Sequence, residues 1–166
     1  CKRIGLAIIN GMGVLSGYRI IELSGIGPGP LCGMLFADLG AEVIRIDRKK
    51  TALPNSKPKY DITGRNKKSL SLNLKNADSL NVFNKLIKNA DALIEGFRPG
   101  VTEKLGVGPD DCMKINPKLV YGRITGWGQT GPLSQVAGHA INYIALAGAL
   151  HSIGAIDKPT VPLNLT

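Results

Sequence analysis

Short apolar runs and amphipathic stretches alternate along this chain in a regular order. Gly17 to Glu22 leads, with Ile20, Ile21 and Leu23 supplying apolar bulk, and reads as a strand. After a turn rich in glycine and proline, Pro30 to Leu39 has helical spacing at Leu31, Met34, Leu35 and Asp38, with Gly40 as its stop. Glu42 to Asp47 (EVIRID) is a second strand, followed by a polar, proline-containing loop over Thr51 to Tyr60. Lys68 to Leu74 (KSLSLNL) alternates polar and apolar positions, which predicts a strand with one wetter face. Asn76 to Ala90 carries Leu80, Phe83, Ile87 and Ala90 on one stripe and reads as an amphipathic helix. Strands are predicted at Asp91 to Phe97 and Leu119 to Thr125, separated by a short helix from Asp110 to Asn116 that Pro117 closes. A mostly apolar helix over His139 to Ser152, ended by Gly154, is the last element.

Strands alternating with helices predict an α/β fold: a Rossmann-like, largely parallel sheet flanked by helices. Right-handed crossovers then bring the carboxyl ends of the strands to one rim, where such folds bind ligands. The turn Ser24 to Pro30, the loop after Asp47, Glu95 to Gly100 and the GWGQTGP segment are expected to share it. Residues 1–11 read as an extension outside the fold, with the globular pattern running over 12–166.

Composition changes this picture in a few respects. No run approaches the roughly 20 apolar residues of a membrane span, and the basic, apolar start CKRIGLAIIN lacks a small-residue cleavage site. Cys1, Cys32 and Cys112 are widely spaced and form no metal-ligand pattern, so no metal is expected and reduced thiols are the simpler reading. The chain has 21 Lys+Arg against 12 Asp+Glu, a net charge of +9. That suits a polyanionic ligand, including a phosphorylated cofactor, although lysines spread over a solvated surface account for it equally well. Aromatic residues make up only 5% and none interleave a basic stretch, which speaks against stacking platforms for single strands of nucleic acid.

The first turn, "SGIGPGP", carries part of a dinucleotide fingerprint. Gly25 and Gly27 fit G-x-G-x-x-G, but Pro30 takes the third glycine position. The acidic end of the second strand falls on cue at Asp47, about 20 residues on, and Arg48 follows it. The residues favour a different phosphorylated adenosine ligand over a nicotinamide, with a glycine turn that serves strand–helix packing alone as the alternative.

The segments "LSGYRIIELSGIGPGPLCGMLFADLGAEVIRIDR", "RNKKSLSLNLK", "ADALIEGFRPGVTEKLGVGPDDC", "NPKLVYGRITGWGQTGP" and "AGHAINYIALAGALHSIG" follow one another in an order that resembles the α-methylacyl-CoA racemases of the family III CoA-transferase superfamily. Members of that family are considerably longer, so the chain is similar to their amino-terminal part. The resemblance implies the large domain of the family III fold and an interlocked homodimer with active sites between subunits. It implies an acyl-CoA substrate, with coenzyme A entering as part of that substrate and no separate cofactor. No nucleic-acid or membrane partner is expected. The reaction is inversion at C2 of a 2-methylacyl thioester through an enolate, which needs a base on each face of the carbon.

By the same resemblance His139 is the base, a role that suits a side chain with an ordinary pKa of about 6.5. Gly138, Ala140, Ile141, Asn142 and Tyr143 complete the thioester-proximal segment. The helix starting there is expected to aim its N–H groups at the thioester oxygen. Arg48 matches the arginine at the adenosine phosphate end of coenzyme A. Leu72, Asn73, Leu74 and Lys75 match the strand end beside the nucleotide, and Gly96, Phe97 and Arg98 the loop along pantetheine and phosphates. Lys104 stands where relatives often have arginine, exchanging a bidentate contact for a point charge. Taken singly, Lys75 and Lys104 fit a solvated surface as well as a phosphate contact. Two residues depart from the family pattern: Ala140 replaces an aspartate beside the histidine, and Asn73 an aspartate of "LDLK".

In the racemases the second base is an aspartate shortly after a "PLNL" segment, and this sequence stops at Pro162-Leu163-Asn164-Leu165-Thr166. The stretch is therefore expected to be inactive alone. The resemblance places bacterial relatives in the cytoplasm and eukaryotic ones in peroxisomes or mitochondria. A family III CoA-transferase working through an aspartyl-CoA thioester stays open as an alternative, as does a non-catalytic basic binding module.

Overall fold

The computed structural model describes residues 13–48 and 61–154. The expected extension over 1–11, the loop over 51–60 and the PLNL segment lie outside the described residues. The chain divides into two compact units after Ile124.

In the first unit five strands form one sheet in the order β3-β2-β1-β4-β5, with every neighbouring pair parallel. They are β1 (Arg19–Leu23), β2 (Glu42–Asp47), β3 (Lys68–Ser71), β4 (Ala92–Glu95) and β5 (Val120–Arg123). The connecting helices are α1 (Pro28–Asp38), α2 (Ala77–Ile87), α3 (Val101–Lys104) and α4 (Pro109–Ile115). The α/β, Rossmann-like parallel sheet expected from the alternation is what the chain forms. Strand order reverses between β1 and β4, and at such a switch point the carboxyl ends leave a crevice.

Alternation along the strands sorts the core into two layers. Ile21, Leu23, Ile46 and Leu93 pack with Phe83 and Ile87 of α2 and Cys112 of α4. On the opposite face Ile20, Val43 and Ile94 meet Ala37 of α1. Asn116 joins elements of the larger cluster: its Nδ2 donates to the carbonyls of Ile87 at 2.9 Å and Ala90 at 2.8 Å. This satisfies carbonyls that the end of α2 leaves open. Asn76 caps the other end of that helix, accepting the Asp78 N–H at 2.8 Å.

One residue of β1 breaks the apolar pattern. Glu22 is 0% exposed, and its Oε2 lies 2.6 Å from Nζ of Lys67, whose side chain is 2% exposed. Lys67 also donates to the Pro30 carbonyl at 2.8 Å, so a single ammonium joins β1, the first turn of α1 and the approach to β3. Burial pushes the Glu22 carboxyl above its ordinary range, against the lowering effect of Lys67. Gly33 makes room for the pair, because a Cβ there would collide with Glu22 Oε2 and come within 3.0 Å of the Lys67 ammonium.

Element bounds differ from the sequence expectations where side chains redirect the backbone. Helix α1 starts at Pro28, with Gly27 as N-cap at φ 77°, a conformation that favours glycine. The strand expected over Lys68 to Leu74 ends at Ser71, because Asn73 Oδ1 accepts the Lys75 N–H at 3.2 Å and turns the chain. The four-residue α3 was not foreseen. In the second unit the expected helix His139 to Ser152 is instead α5 (Ala140–Leu146), a left-handed Gly148 at φ 78°, and a 3-10 turn over Ala149–Ser152. Apolar spacing carried the expectation past a glycine that ends the helix.

Two outcomes follow for the full-length protein. Lys67→Met should cost about 3–5 kcal/mol in chemical denaturation, since it strands a buried carboxylate, whereas the paired change Glu22→Met with Lys67→Met should regain most of the loss. Cys112 is buried, its thiol donates to the Val107 carbonyl at 3.4 Å, and burial pushes its pKa up to about 12. Its thiolate is therefore scarce at pH 8, and iodoacetamide should label it only under denaturing conditions, as peptide mass mapping would read out.

Candidate functional site

The carboxyl ends of the strands open into a groove of about 450 Å³, a size suited to a small-molecule ligand. Leu23, Ser24, Gly25 and Ile26 reach it from β1 and the following turn. Ile46, Asp47 and Arg48 come from the end of β2, and Leu72, Asn73, Leu74 and Lys75 from the end of β3. Phe97 after β4 and Leu105 after α3 complete the lining. The expected rim thus forms from the first turn, the end of β2 and the loop after β4. The GWGQTGP segment belongs to the second unit and is described with it.

Of the residues singled out for the nucleotide end, Arg48, Leu72, Asn73, Leu74, Lys75 and Phe97 line this groove. Gly96, Arg98 and Lys104 do not: Gly96 and Arg98 are exposed on the turn that carries Phe97, and Lys104 is exposed at the end of α3. The lining is mixed in character. Leu23, Ile46 and Leu72 are buried and apolar, while Arg48, Asn73 and Lys75 are exposed and polar. Asp47 stands where a dinucleotide enzyme places its ribose acceptor. Here its Oδ2 accepts from Arg45 Nε at 3.0 Å and from Ser69 Oγ at 2.7 Å. That oxygen is committed to the sheet, which agrees with the incomplete glycine fingerprint.

Sequence reasoning missed a second buried carboxylate. Glu95, at the end of β4, is 2% exposed. Its Oε2 accepts the Phe97 N–H at 2.7 Å, and its Oε1 lies 3.2 Å from Arg123 Nε on β5. Arg123 in turn donates to Thr102 Oγ1 at 3.0 Å and pairs with Glu103, both on α3. Burial raises the Glu95 carboxyl above its ordinary range, while the Arg123 hydrogen bond holds Glu103 below it. The available signal was a glutamate ending an otherwise apolar strand, ALIE, just as Glu22 nearly ends RIIEL.

The second unit holds the segment around His139. His139 is the exposed N-cap of α5, in extended backbone at φ −134°. Its N–H donates to Asn142 Oδ1 at 3.0 Å, and its carbonyl accepts the Asn142 N–H at 2.9 Å, so Asn142 fixes the backbone on which the imidazole is mounted. Ala140 is the first residue of the helix, and Ile141 is exposed. The Tyr143 ring stands 4.9 Å from that of Trp127 and packs over Gly138 and Gly126. A Cβ on Gly138 would meet Tyr143 Cζ at 2.7 Å, so the glycine before the histidine is required by this ring. Among the described residues no cluster of three or more His, Cys, Asp or Glu could hold a metal ion, and no helix is long and apolar enough to cross a membrane.

A doubly wound parallel sheet with a mixed apolar and cationic groove at the carboxyl ends of its strands defines an α/β domain of the Rossmann-like type. The chain belongs to CoA-transferase family III, whose pattern matches residues 15–165. It is 47% identical over 153 residues to the alpha-methylacyl-CoA racemase of Mus musculus, covering 92% of this chain and 39% of that protein. The succinyl-CoA:glutarate CoA-transferase of the same species is 34% identical over 157 residues, 89% of this chain and 36% of that protein. Among solved structures, a CAIB/BAIF family protein from Brucella suis matches with a TM-score of 0.82 at 28% identity, over 91% of this chain and 43% of that one. Rv3272 from M. tuberculosis matches with a TM-score of 0.79 at 32% identity, over 92% and 46%. The chain therefore spans about two fifths of the length of the curated relatives it matches.

The packing at Gly138 gives a direct check. Gly138→Ala should displace Tyr143 and alter the emission of Trp127, the only tryptophan of the chain. Unchanged tryptophan fluorescence in the variant would contradict this packing.

Proposed function

We propose that the full-length protein epimerises 2-methylacyl-CoA thioesters at C2. The observation that carries this reading is the AGHAINY segment with His139 as the exposed cap of α5, in a chain 47% identical to an alpha-methylacyl-CoA racemase. The transferase relative is more distant at 34%.

The chemistry follows from what the reaction demands. A proton next to a thioester carbonyl is weakly acidic, so the base must be positioned and the enolate stabilised before proton loss is fast. His139 takes the proton from one face of C2. Asn142 holds the histidine backbone, so the imidazole starts from a fixed point and less ordering is needed at each turnover. Reprotonation on the opposite face inverts the centre, and in racemases that acid follows the PLNL segment. With Ala140 in place of the family's aspartate, the base lacks an acidic neighbour on its carboxyl side.

The groove of the first unit is assigned to the coenzyme A part of the substrate. Its apolar residues suit the uncharged parts of the ligand, and Arg48 and Lys75 suit the phosphates. No separate cofactor takes part. The functional unit is the interlocked homodimer of the family.

The test is C2 deuterium incorporation into a 2-methylacyl-CoA in D₂O, catalysed by the full-length protein. His139→Ala should slow exchange by about 10²-fold or more, the usual scale for loss of a general base. Exchange indifferent to His139, or transfer of coenzyme A onto a free carboxylate in its place, would overturn the racemase reading in favour of the transferase.

A further inference from the structure

Both buried carboxylates sit at or near the carboxyl ends of central strands, but their partners differ. Glu22 is matched by Lys67 and the first turn of α1, which accounts for it as part of the fold. Glu95 faces the other way. Ile21 and Leu93 lie on the face of the larger core cluster, and Glu95 shares that face by its two-residue spacing from Leu93, as does Arg123 from Tyr121. The groove wall is built from residues on the fringe of the same cluster, Phe97 and Leu105.

We infer that Glu95 and Arg123 are positioning residues that set this wall of the groove without touching the ligand. The two ends of the network reach the two wall residues by separate routes. Glu95 Oε2 accepts the Phe97 N–H at 2.7 Å, an i to i+2 contact that curls Gly96 and Phe97 back over the end of β4. Arg123, paired in register with Glu95 across the sheet, extends its guanidinium to Thr102 Oγ1 and Glu103 and so anchors α3, the helix directly before Leu105. Tyr121 closes the network. Its ring lies under the Arg123 guanidinium at 5.7 Å, and its hydroxyl donates at 2.9 Å to the carbonyl of Val107, two residues past Leu105.

A buried ion pair is a weak source of stability, because desolvation offsets most of the attraction and a well-packed apolar pair serves as well. Directional bonding is what an apolar pair cannot supply. The carboxylate fixes a backbone N–H on one side of the wall, and the planar guanidinium fork fixes a helix on the other. Loss of Glu95 therefore loosens the Phe97 side of the wall, and loss of Arg123 the Leu105 side.

This inference rests on the groove being the coenzyme A site, and the experiment separates the two. The dissociation constant of free coenzyme A is measured by calorimetry on the full-length protein, together with kcat and KM for a 2-methylacyl-CoA. Glu95→Gln and Arg123→Met should each weaken coenzyme A by about ten-fold, the scale of one charge-assisted hydrogen bond, and raise KM by a similar factor, while kcat stays within about two-fold of wild type. Arg123→Lys, which keeps the charge but not the fork, should fall between wild type and Arg123→Met. A merely structural role predicts the reverse split: a lower active fraction, hence lower apparent kcat, with KM and affinity per folded protein unchanged. That result overturns the inference. If the charged-residue variants do not fold, Thr102→Val removes one of the two Arg123 acceptors on α3, together with the Thr102 hydroxyl's bond to Glu103, and should weaken coenzyme A a few-fold, with unchanged affinity overturning the inference. Wild-type protein that binds no coenzyme A overturns the reading of the groove, and the inference with it. Binding without epimerisation overturns only the racemase reading and leaves the affinity comparison decisive.

Discussion

One ammonium group organises the front of this domain. Lys67 lies on the approach to β3, yet its Nζ reaches across to a carboxylate near the carboxyl end of β1 and to a carbonyl in the first turn of α1. The turn between those two elements supplies Ser24, Gly25 and Ile26 to the groove, so its position depends on where Lys67 holds its two ends. Charge in that place demands compensation. The carboxylate would be strongly disfavoured without its partner, and Gly33 must lack a side chain for the two to meet. The motif that reads as a broken dinucleotide fingerprint is thus consistent on its own terms. Pro30, standing where a third glycine is expected, contributes the carbonyl that Lys67 requires.

Much of the scaffold is legible in the sequence because period and punctuation coincide. The five strands and the helices α1, α2 and α4 each pair an apolar repeat with a stop signal, such as Gly40 after α1 or Pro117 after α4. Tertiary matching of charge is not legible in that way. Lys67 and Glu22 are 45 positions apart, and no local pattern connects them. Glu95 and Arg123 become neighbours only through the β4–β5 register. In both cases the hint was a glutamate at the end of an apolar strand, and the partner could be found only once strand order was known. The helix from His139 failed for a different reason. Its apolar spacing runs on past Gly148, but backbone conformation at that glycine decides where the helix stops.

The two residues that the resemblance marks as departures from the family pattern differ in consequence. Asn73 in place of an aspartate retains the side-chain oxygen that accepts the Lys75 N–H, so the turn after β3 survives the exchange with one negative charge fewer beside the groove. That loss suits a phosphorylated ligand. Ala140 retains nothing of the acid it replaces. It occupies the first position of α5, where a carboxylate would be favoured by the helix dipole, and the start of the helix rests on the bonds that His139 makes with Asn142 and Tyr143.

The disposition of charge argues for a small phosphorylated ligand over nucleic acid. Several acids of the first unit are committed to basic partners: Glu42 to Arg19 and Lys68, Asp38 to Arg65, Asp61 to Arg45, and Glu103 to Arg123. Their carboxyls are all held below the ordinary range, Asp61 first by the Thr63 hydroxyl and then by Arg45, the others by those contacts. The positive surplus of the chain is therefore felt as a field around a surface whose acids are largely neutralised in place. Nucleic acid would need that field spread along an open stripe, with flat aromatic faces for unpaired bases. The groove has a different form, a recess lined both by buried Leu23, Ile46 and Leu72 and by exposed Arg48 and Lys75. The coenzyme A proposed for this groove carries anionic groups at one part and uncharged surface at another, a character that suits this mixed lining.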